Sequence, residues 1–286
     1  MKENLQGKVC LITGATNGIG EEAAKQIALM GAEIVFIARS PVKANELNKT
    51  LKSLTGKEST SIIADLSSQL EVKRAADKFL SLNKPLHILL NNAGIMNTSR
   101  KETVDGLEEV FSVNHLAYYS LTLLLMDKLI ANGPGRIVNV ASGAHMFIKE
   151  MNFDDLQSEK EYKTMRVYGQ SKLANILFTR ELSEKLEGKG ITVNCLHPGF
   201  VNTGIGSNNS PTLGRILMAM ARPFSRKTDK GAETSIYLCV SPEVEGISGE
   251  YYIDCEVSKI SGAARSKDNA EKLWNISSEL TGIDLH

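Results

Sequence analysis

Two residues four positions apart, Tyr168 and Lys172, could together transfer a proton. The surrounding residues, Val167–Phe178, have a helical pattern, so both side chains leave the same helix face one turn apart. A phenol has an ordinary pKa of about 10, and a neighbouring ammonium lowers it. Such a phenol could exchange a proton with an alcohol oxygen near neutral pH. The alternative is a surface tyrosine and a solvated lysine on one exposed helix face.

Three glycines, Gly14, Gly18 and Gly20, follow the apolar strand pattern Val9–Thr13 and precede a helical pattern at 21–30. Glycine permits a tight turn and lets a pyrophosphate approach the backbone N–H groups at a helix N-terminus. This position between a strand and a helix predicts a dinucleotide site, with the spacing GxxxGxG rather than GxGxxG. A plain turn, which also needs glycine, is the alternative.

Short apolar strand patterns alternate with helical patterns along the whole chain. Strands are expected at residues 9–13, 33–38, 59–64, 86–90, 136–141, 191–196 and 251–253. This alternation implies right-handed βαβ crossovers and a parallel sheet covered by helices on both faces. We therefore predict an α/β fold, a single doubly wound Rossmann domain over residues 1–286 with a seven-stranded parallel sheet.

In such a sheet, ligands bind beyond the carboxyl ends of the strands. Small or polar residues follow several of the expected strands, at 14–20, Asp65, 91–94, Ser142 and 197–199. They should therefore line one crevice.

Arg39 follows the second expected strand, where NAD sites usually carry an acid that holds the ribose 2′-OH. An arginine there would pair instead with a 2′-phosphate, which favours NADP(H) over NAD(H). The alternative is an exposed arginine without a role. Asp65 could accept from the adenine amino group while Leu66 packs on the ring, or Asp65 or Ser67 could cap the next helix.

Ser142 could hold a substrate carbonyl oxygen beside the Tyr168 phenol. Asn114 lies in an apolar stretch, and a buried amide needs hydrogen-bond partners. It either satisfies a bend in its own helix or positions a water that relays protons to Lys172. The amides and small residues at 91–94 suit a backbone close to a cofactor, or they simply form a turn.

The composition argues against several classes of function. Acidic and basic residues number 33 each, whereas a general nucleic-acid binder carries a basic excess. No apolar stretch is long enough to span a membrane, and no leader sequence is expected at the polar start of the chain. The four cysteines form no CxxC pair or zinc spacing, so no metal is expected. Buried free thiols favour the cytoplasm or another reducing compartment.

Together these motifs resemble those of the short-chain dehydrogenase/reductase family. They occur in the family's order and spacing, with Ser142 lying 26 residues before Tyr168. The matching motifs are Thr13–Gly20, Asn91–Gly94, Asn114, Ser142, Tyr168–Lys172 and Pro198–Gly199. The stretches Tyr168–Phe178, His197–Thr203 and Ala264–Trp274 resemble the retinol dehydrogenase-like branch, in which NADP(H) is the usual cofactor.

The resemblance implies a role for each motif residue. Tyr168 is the catalytic acid or base, Ser142 binds and polarises the substrate oxygen, and Asn114 completes a proton relay. Lys172 lowers the pKa of Tyr168 and bonds the nicotinamide ribose, while Thr203 contacts the carboxamide. The expected cofactor contacts are Gly14, Thr16, Asn17, Gly18, Ile19, Gly20, Arg39, Asp65, Leu66, Asn92, Ala93, Gly94, Tyr168, Lys172, Pro198, Gly199, Val201 and Thr203.

The resemblance also places a substrate lid at about 204–227, a segment that becomes apolar and methionine-rich. An ordinary packed helix or a shallow, peripheral membrane contact are the alternatives. Met146 and Phe147 could form the opposite wall of the pocket, and His145 is expected as a pocket-lining or surface residue.

The leading prediction is an NADP(H)-dependent oxidoreductase that interconverts a hydrophobic alcohol and its aldehyde or ketone, such as a retinoid, a steroid or another lipid-like carbonyl. The alternatives are an NAD(H)-dependent alcohol dehydrogenase, a catalytically weak dinucleotide-binding regulator and a scaffolding protein. The resemblance further implies a homodimer or homotetramer formed through helices that include the one bearing Tyr168.

Overall fold

The computed structural model describes residues 3–199 and 228–285. Val201, Thr203 and the expected lid at 204–227 therefore lie outside the described residues. Among the described residues, no helix has the length and apolar content needed to span a membrane.

One sheet forms the centre of the fold, with the strand order β3-β2-β1-β4-β5-β6-β7-β8. Its strands are β1 Val9–Thr13, β2 Glu33–Ala38, β3 Thr60–Ile63, β4 Ile88–Asn91, β5 Gly135–Val140, β6 Ile191–His197, β7 Tyr251–Ile253 and β8 Glu256–Val257. The first seven pair in parallel, as predicted. The strand β8 is antiparallel to β7 and only two residues long, too short to leave a periodic pattern in the sequence.

The helices connect these strands in the manner of a doubly wound fold. They are α1 Gly18–Leu29, α2 Pro41–Thr55, α3 Gln69–Ser81, α4 Glu109–Phe111, α5 Ala117–Leu124, α6 Met126–Ala131, α7 Thr164–Lys185, α8 Thr228–Val240, α9 Gly262–Arg265 and α10 Lys267–Thr281. A π-helical turn, Ser112–Leu116, joins α4 to α5, and a 3₁₀ turn, Gly143–Phe147, follows β5. The helical stretch between 109 and 131 is thus divided into several segments.

Alternating side chains of the strands bury two apolar layers, one on each face of the sheet. In β1, Val9 and Leu11 pack towards α3, α5 and α7, whereas Cys10 and Ile12 pack towards α1, α2 and α8. The chain moves to one side of β1 for β2 and β3 and to the other side from β4 onwards. The crevice at the carboxyl ends of β1 and β4 is therefore the topological switch point, where such sheets bind ligands.

The last helix, α10, covers part of the helices that surround Tyr168. The Trp274 indole is 4% exposed, and its ring centroid lies 5.1 Å from that of Tyr119 in α5 and 6.1 Å from that of Phe178 in α7. The Lys185 ammonium lies 4.7 Å from the same indole. The helix bearing Tyr168 is thus held between the sheet and α10 along this stretch.

We expect Trp274→Ala to reduce the free energy of unfolding by about 3–5 kcal/mol, because it removes a large buried ring and leaves a cavity between α5, α7 and α10. Urea unfolding followed by circular dichroism measures this loss. Leu280→Ala, at a position of the same helix that is 37% exposed, is the control and should change the value by less than about 0.5 kcal/mol. Equal losses in the two variants would contradict the assigned packing.

Candidate active site

The glycine turn after β1 has backbone angles and close contacts that other residues do not tolerate. Gly14 and Gly18 have φ values of 66° and 59°, in the left-handed region that favours glycine. A Cβ atom on Gly20 would lie 2.5 Å from the Gly14 carbonyl oxygen, so no other residue fits there. Ile19 is buried beneath the turn, while Thr16 is half-buried and Asn17 is exposed at its tip.

The start of α1 is open to an anion. The helix begins at Gly18, and within the described part of the chain the side chain of Asn17 makes no capping hydrogen bond to it. The first N–H groups of a helix have no partner within the helix and attract negative charge. The turn therefore suits the pyrophosphate of the dinucleotide that the sequence predicts there.

A set of hydrogen bonds fixes this turn to the end of β4. Thr13 Oγ1 accepts from the N–H groups of Asn92 at 2.9 Å and Ala93 at 3.0 Å. Asn92 Nδ2 donates to the carbonyl oxygens of Thr13 at 2.9 Å and Gly14 at 3.2 Å. No role for Thr13 is predicted from the sequence pattern, although its place directly before Gly14 is the available signal. The amide of Asn92 therefore braces the turn directly.

Arg39 and Asp65 lie just beyond the carboxyl ends of β2 and β3. Arg39 follows β2 with an exposed side chain. Asp65 Oδ1 accepts from the N–H of Ser67 at 2.9 Å, and the cap of α3 is neither of these residues but Ser68, whose Oγ accepts from the N–H of Glu71. Leu66 is 8% exposed and packs with the core beside α3.

Ser142 and Tyr168 meet at the carboxyl end of β5. The Ser142 hydroxyl lies near enough to the Tyr168 phenol to lower the pKa of that phenol, and it accepts from the N–H of Ala144 at 3.2 Å. Both side chains are half-buried. A substrate oxygen that reached this point could contact both hydroxyl groups.

The packing of α7 against the 3₁₀ turn brings these two residues together. A Cβ atom on Gly169 would lie 2.9 Å from Ile148 Cδ1 and 3.0 Å from the Ala144 carbonyl oxygen. Glycine at 169 thus lets the helix approach the turn that follows Ser142 closely enough to bring the two hydroxyl groups near each other.

Lys172 is buried behind Tyr168. Its side chain is 3% exposed, and its Nζ donates to the carbonyl oxygen of Val140, the last residue of β5, at 2.9 Å. The ammonium lies 5.8 Å from the ring centroid of Tyr168 and 5.7 Å from that of Tyr118. A Cβ atom on Gly94 would lie 3.4 Å from Nζ, so the segment after β4 also reaches this lysine.

Burial moves the pKa values of this pair towards their neutral forms. It lowers the pKa of Lys172 to about 7. It raises the pKa of the Tyr168 phenol, an effect that the hydrogen bond from Ser142 opposes. The expectation that Lys172 lowers the pKa of Tyr168 below its ordinary value is therefore wrong for this structure. The reason is the desolvation of the phenol itself, which outweighs the lowering by its neighbour Ser142.

Asn114 connects the π-helical turn to the site. It is fully buried, and its Oδ1 accepts from the N–H of Ile95 at 2.8 Å while Nδ2 donates to the Ile95 carbonyl at 3.0 Å. Nδ2 also donates to Ser171 Oγ at 3.0 Å. No role for Ser171 is predicted from the sequence. It lies between Tyr168 and Lys172 and donates to the Tyr168 carbonyl at 2.8 Å. The amide thus ties the segment after β4 to the helix that carries the pair.

His145 is a buried support and not the pocket-lining or surface residue that was expected. It is fully buried, its Nδ1 lies 2.7 Å from the Ser142 carbonyl oxygen, and its Nε2 accepts from the N–H of Ser261 at 3.4 Å. Burial lowers its pKa, so the neutral form with the proton on Nδ1 satisfies both contacts. Its neighbours Met146 and Phe147 are 54% and 78% exposed, so two large apolar side chains lie near Ser142.

The segment after β6 contributes the last described part of the crevice. Pro198 and Gly199 follow His197, and Gly199 has a φ of 80°. A Cβ atom on Gly143 would lie 3.2 Å from His197 Nε2, so the ends of β5 and β6 are in contact. Val201 and Thr203 continue this segment outside the described residues.

Comparison with known proteins agrees with this geometry. The family model described as short chain dehydrogenase matches residues 8–214. The chain belongs to the short-chain dehydrogenase family. As a member of it, the protein is an oxidoreductase that acts on CH–OH groups with NAD(P). Retinol dehydrogenase 12 of Mus musculus is 41% identical over 281 residues, which are 98% of this chain and 88% of the relative.

Solved structures of other proteins share the fold. An uncharacterised protein from Mycobacterium paratuberculosis has a TM-score of 0.80 at 26% identity, with 99% of this chain and 97% of that chain covered. A short chain dehydrogenase from Burkholderia cenocepacia J2315, solved in complex with NADP, has a TM-score of 0.68 at 27% identity, with 92% and 100% covered. The sheet and its flanking helices in this short-chain dehydrogenase are therefore those of a Rossmann fold.

The buried lysine predicts a pH dependence of stability. Since its pKa is about 7 in the folded protein and about 10.5 ordinarily, the unfolded chain binds one more proton between these values. Stability contributed by this residue therefore rises with pH across that window. We expect any stability advantage of Lys172→Met over the wild type to be largest near pH 7 and to shrink towards pH 10.

Urea unfolding at intervals between pH 7 and pH 10 measures this difference. The slope with pH carries the test, because the offset also includes the lost bond to Val140. Lys49→Met, at an exposed position of α2, is the matched control and should follow the wild-type slope. A Lys172→Met difference that stays constant across the window would show that the lysine is not desolvated.

Proposed function

We propose that this protein is an NADP(H)-dependent oxidoreductase that interconverts a hydrophobic alcohol and its aldehyde or ketone. The observation that carries the proposal is the group formed by Ser142, Tyr168 and buried Lys172 in the same crevice as the glycine turn. When bound, the nicotinamide supplies or accepts the hydride. The remaining chemistry falls to residues of this chain.

Ser142 and Tyr168 handle the reacting oxygen. In reduction, the Ser142 hydroxyl donates to the carbonyl oxygen and polarises it, while the Tyr168 phenol gives its proton to that oxygen. In oxidation, Tyr168 accepts the alcohol proton. Since burial raises the pKa of Tyr168, the phenol keeps its proton near neutral pH, which suits the role of an acid in carbonyl reduction.

Lys172 and Asn114 support this step. The ammonium favours the phenolate that remains after proton transfer and bonds the nicotinamide ribose with its remaining N–H groups. Asn114 holds the segment after β4 against α7 and so keeps the glycine turn, the lysine and the phenol in register. In this proposal the site residues act as one unit, and loss of any one disturbs the others.

Two observations support the finer parts of the proposal. Arg39 is exposed beyond β2, at a position where an NAD site would carry an acidic residue, and the Burkholderia structure holds NADP. Met146 and Phe147 expose apolar surface beside Ser142, which suits an apolar substrate. The relatives named retinol dehydrogenase support a retinoid-like alcohol as the first compound to test.

We expect Tyr168→Phe to lower kcat by about 100-fold or more, because general acid–base catalysis contributes roughly 10²–10⁴-fold. A panel of retinoid, steroid and simple aliphatic alcohols and carbonyls, run with both cofactors, gives the substrate and the reference rate. Tyr237→Phe removes a half-buried phenol outside the crevice, hydrogen-bonded to Glu243, and should retain the wild-type rate. Full turnover by Tyr168→Phe would refute the assigned mechanism.

Arg39→Ala should weaken NADPH binding by about tenfold or more and leave NADH binding nearly unchanged, because a charge-assisted hydrogen bond contributes about 1.5–3 kcal/mol. Calorimetric titration of the full chain with each cofactor measures both affinities. Lys52→Ala removes one positive charge from the far end of α2 and controls for general electrostatic attraction. An unchanged ratio of the two affinities in Arg39→Ala would favour the NAD(H) alternative.

A further inference from the structure

One backbone oxygen receives hydrogen bonds from two buried side chains of α7. The carbonyl oxygen of Val140 accepts from Lys172 Nζ at 2.9 Å and from Asn175 Nδ2 at 3.3 Å. Lys172 and Asn175 are three positions apart, so both project from one helix face towards the end of β5. Asn175 is fully buried. The ammonium therefore shares its backbone acceptor with a neutral amide.

This sharing bears directly on the charge of Lys172. A carbonyl oxygen has two lone pairs, and here the ammonium and the amide each use one. A hydrogen bond to the charged form of a lysine favours that form and raises its pKa. The Asn175 amide competes for the same oxygen and also points the positive end of its N–H dipole at it. Both effects weaken the hold of the carbonyl on the ammonium.

The other titratable groups around this pair are neutral. Phenols at Tyr118 and Tyr168 lie over the ammonium from α5 and from α7 itself, and burial raises the pKa of each. The imidazole of His115, in the π-helical turn, is a polar neighbour of Asn175, and burial lowers its pKa to about 3. In the described part of the chain, burial is the cause of the shift at Lys172, and no carboxylate contributes to it.

We propose that Asn175 is a positioning residue for Lys172, which it governs through the shared carbonyl of Val140. By occupying part of that acceptor, Asn175 weakens the bond between Lys172 and the sheet. The lysine can then release its proton, or its hydrogen bond to Val140, more easily. The consequence for turnover rests on the proposed function, since it assumes that Lys172 acts on Tyr168 and on the ribose. The link between Asn175 and Lys172 itself does not depend on turnover.

The proposal fixes the direction of change in two variants. Asn175→Ala leaves the Val140 oxygen to Lys172 alone, so the lysine pKa should rise. Asn175→Asp keeps the shape of the side chain and places an anion beside the ammonium, so the lysine pKa should rise further, by about one to three units. The second variant tests the same link if the first does not fold.

The direct measurement is a pH titration of the full chain labelled with ¹³C at lysine Cε, followed by nuclear magnetic resonance. Lys172 should titrate near neutral pH, well separated from lysines in solvent, and Lys172→Arg assigns its resonance. Asn194→Ala is the matched control, because Asn194 is also a buried asparagine that donates to a backbone carbonyl, that of Ile247. It should leave the Lys172 titration unchanged.

A Lys172 titration that is the same in wild type, Asn175→Ala and Asn175→Asp overturns the proposal. A shift of equal size in Asn194→Ala also overturns it, because the effect would then reflect general loosening of the fold. A rise confined to the two Asn175 variants, larger for the aspartate, supports it.

Turnover provides the second readout. Carbonyl reduction needs the proton of the Tyr168–Lys172 pair, so kcat/KM should fall as pH rises through the apparent pKa of the pair. In Asn175→Ala this fall should move to higher pH, in step with the titration of Lys172. Wild-type protein that turns over no compound of the panel refutes the proposed function, while the resonance titration still decides the role of Asn175.

Discussion

A desolvated lysine ammonium is the constraint on which this end of the sheet depends. Removing a cation from water is unfavourable unless the protein supplies hydrogen-bond acceptors in place of water. Where the protein supplies too few, the pKa of the cationic group falls. Among the described residues, the ammonium has the shared carbonyl of Val140 and the faces of two phenol rings as partners. The burial of the lysine therefore depends on the packing of α7 against β5. The chemistry of the site therefore depends on the packing of that helix.

Several contacts hold α7 in place, and each begins on a different element. Trp274 of α10 packs on its outer side against Phe178, and Asn114 of the π-helical turn bonds Ser171. On the sheet side, Asn139 of β5 donates to Thr179 Oγ1 at 2.9 Å. A helix fixed at several points along its length can present Tyr168 and Lys172 in one arrangement, which a catalytic pair requires.

Structural features that depend on a local pattern or on a fixed spacing could be predicted from the sequence. The strands of the sheet, the glycine turn and the Tyr168–Lys172 helix face follow from periodicity and from residues close in the chain. It did not predict Thr13 as a brace, His145 as a buried support or the raised pKa of Tyr168. Each of these depends on side chains far apart in sequence, such as His145 and Ser261, or on burial, which no single sequence states for an individual residue.

The burial that prepares Tyr168 and Lys172 for proton exchange also opposes folding. A lysine with an ordinary side-chain pKa would stabilise the protein equally well across neutral pH, but it would be fully charged and would respond little to its surroundings. The lowered pKa of Lys172 instead places its proton exchange near neutral pH, where the chemistry of an alcohol or carbonyl has to occur. The unfavourable burial is offset by apolar packing elsewhere, as around Trp274. The apolar core of the fold therefore supplies part of the free energy that keeps the Lys172 ammonium buried away from water.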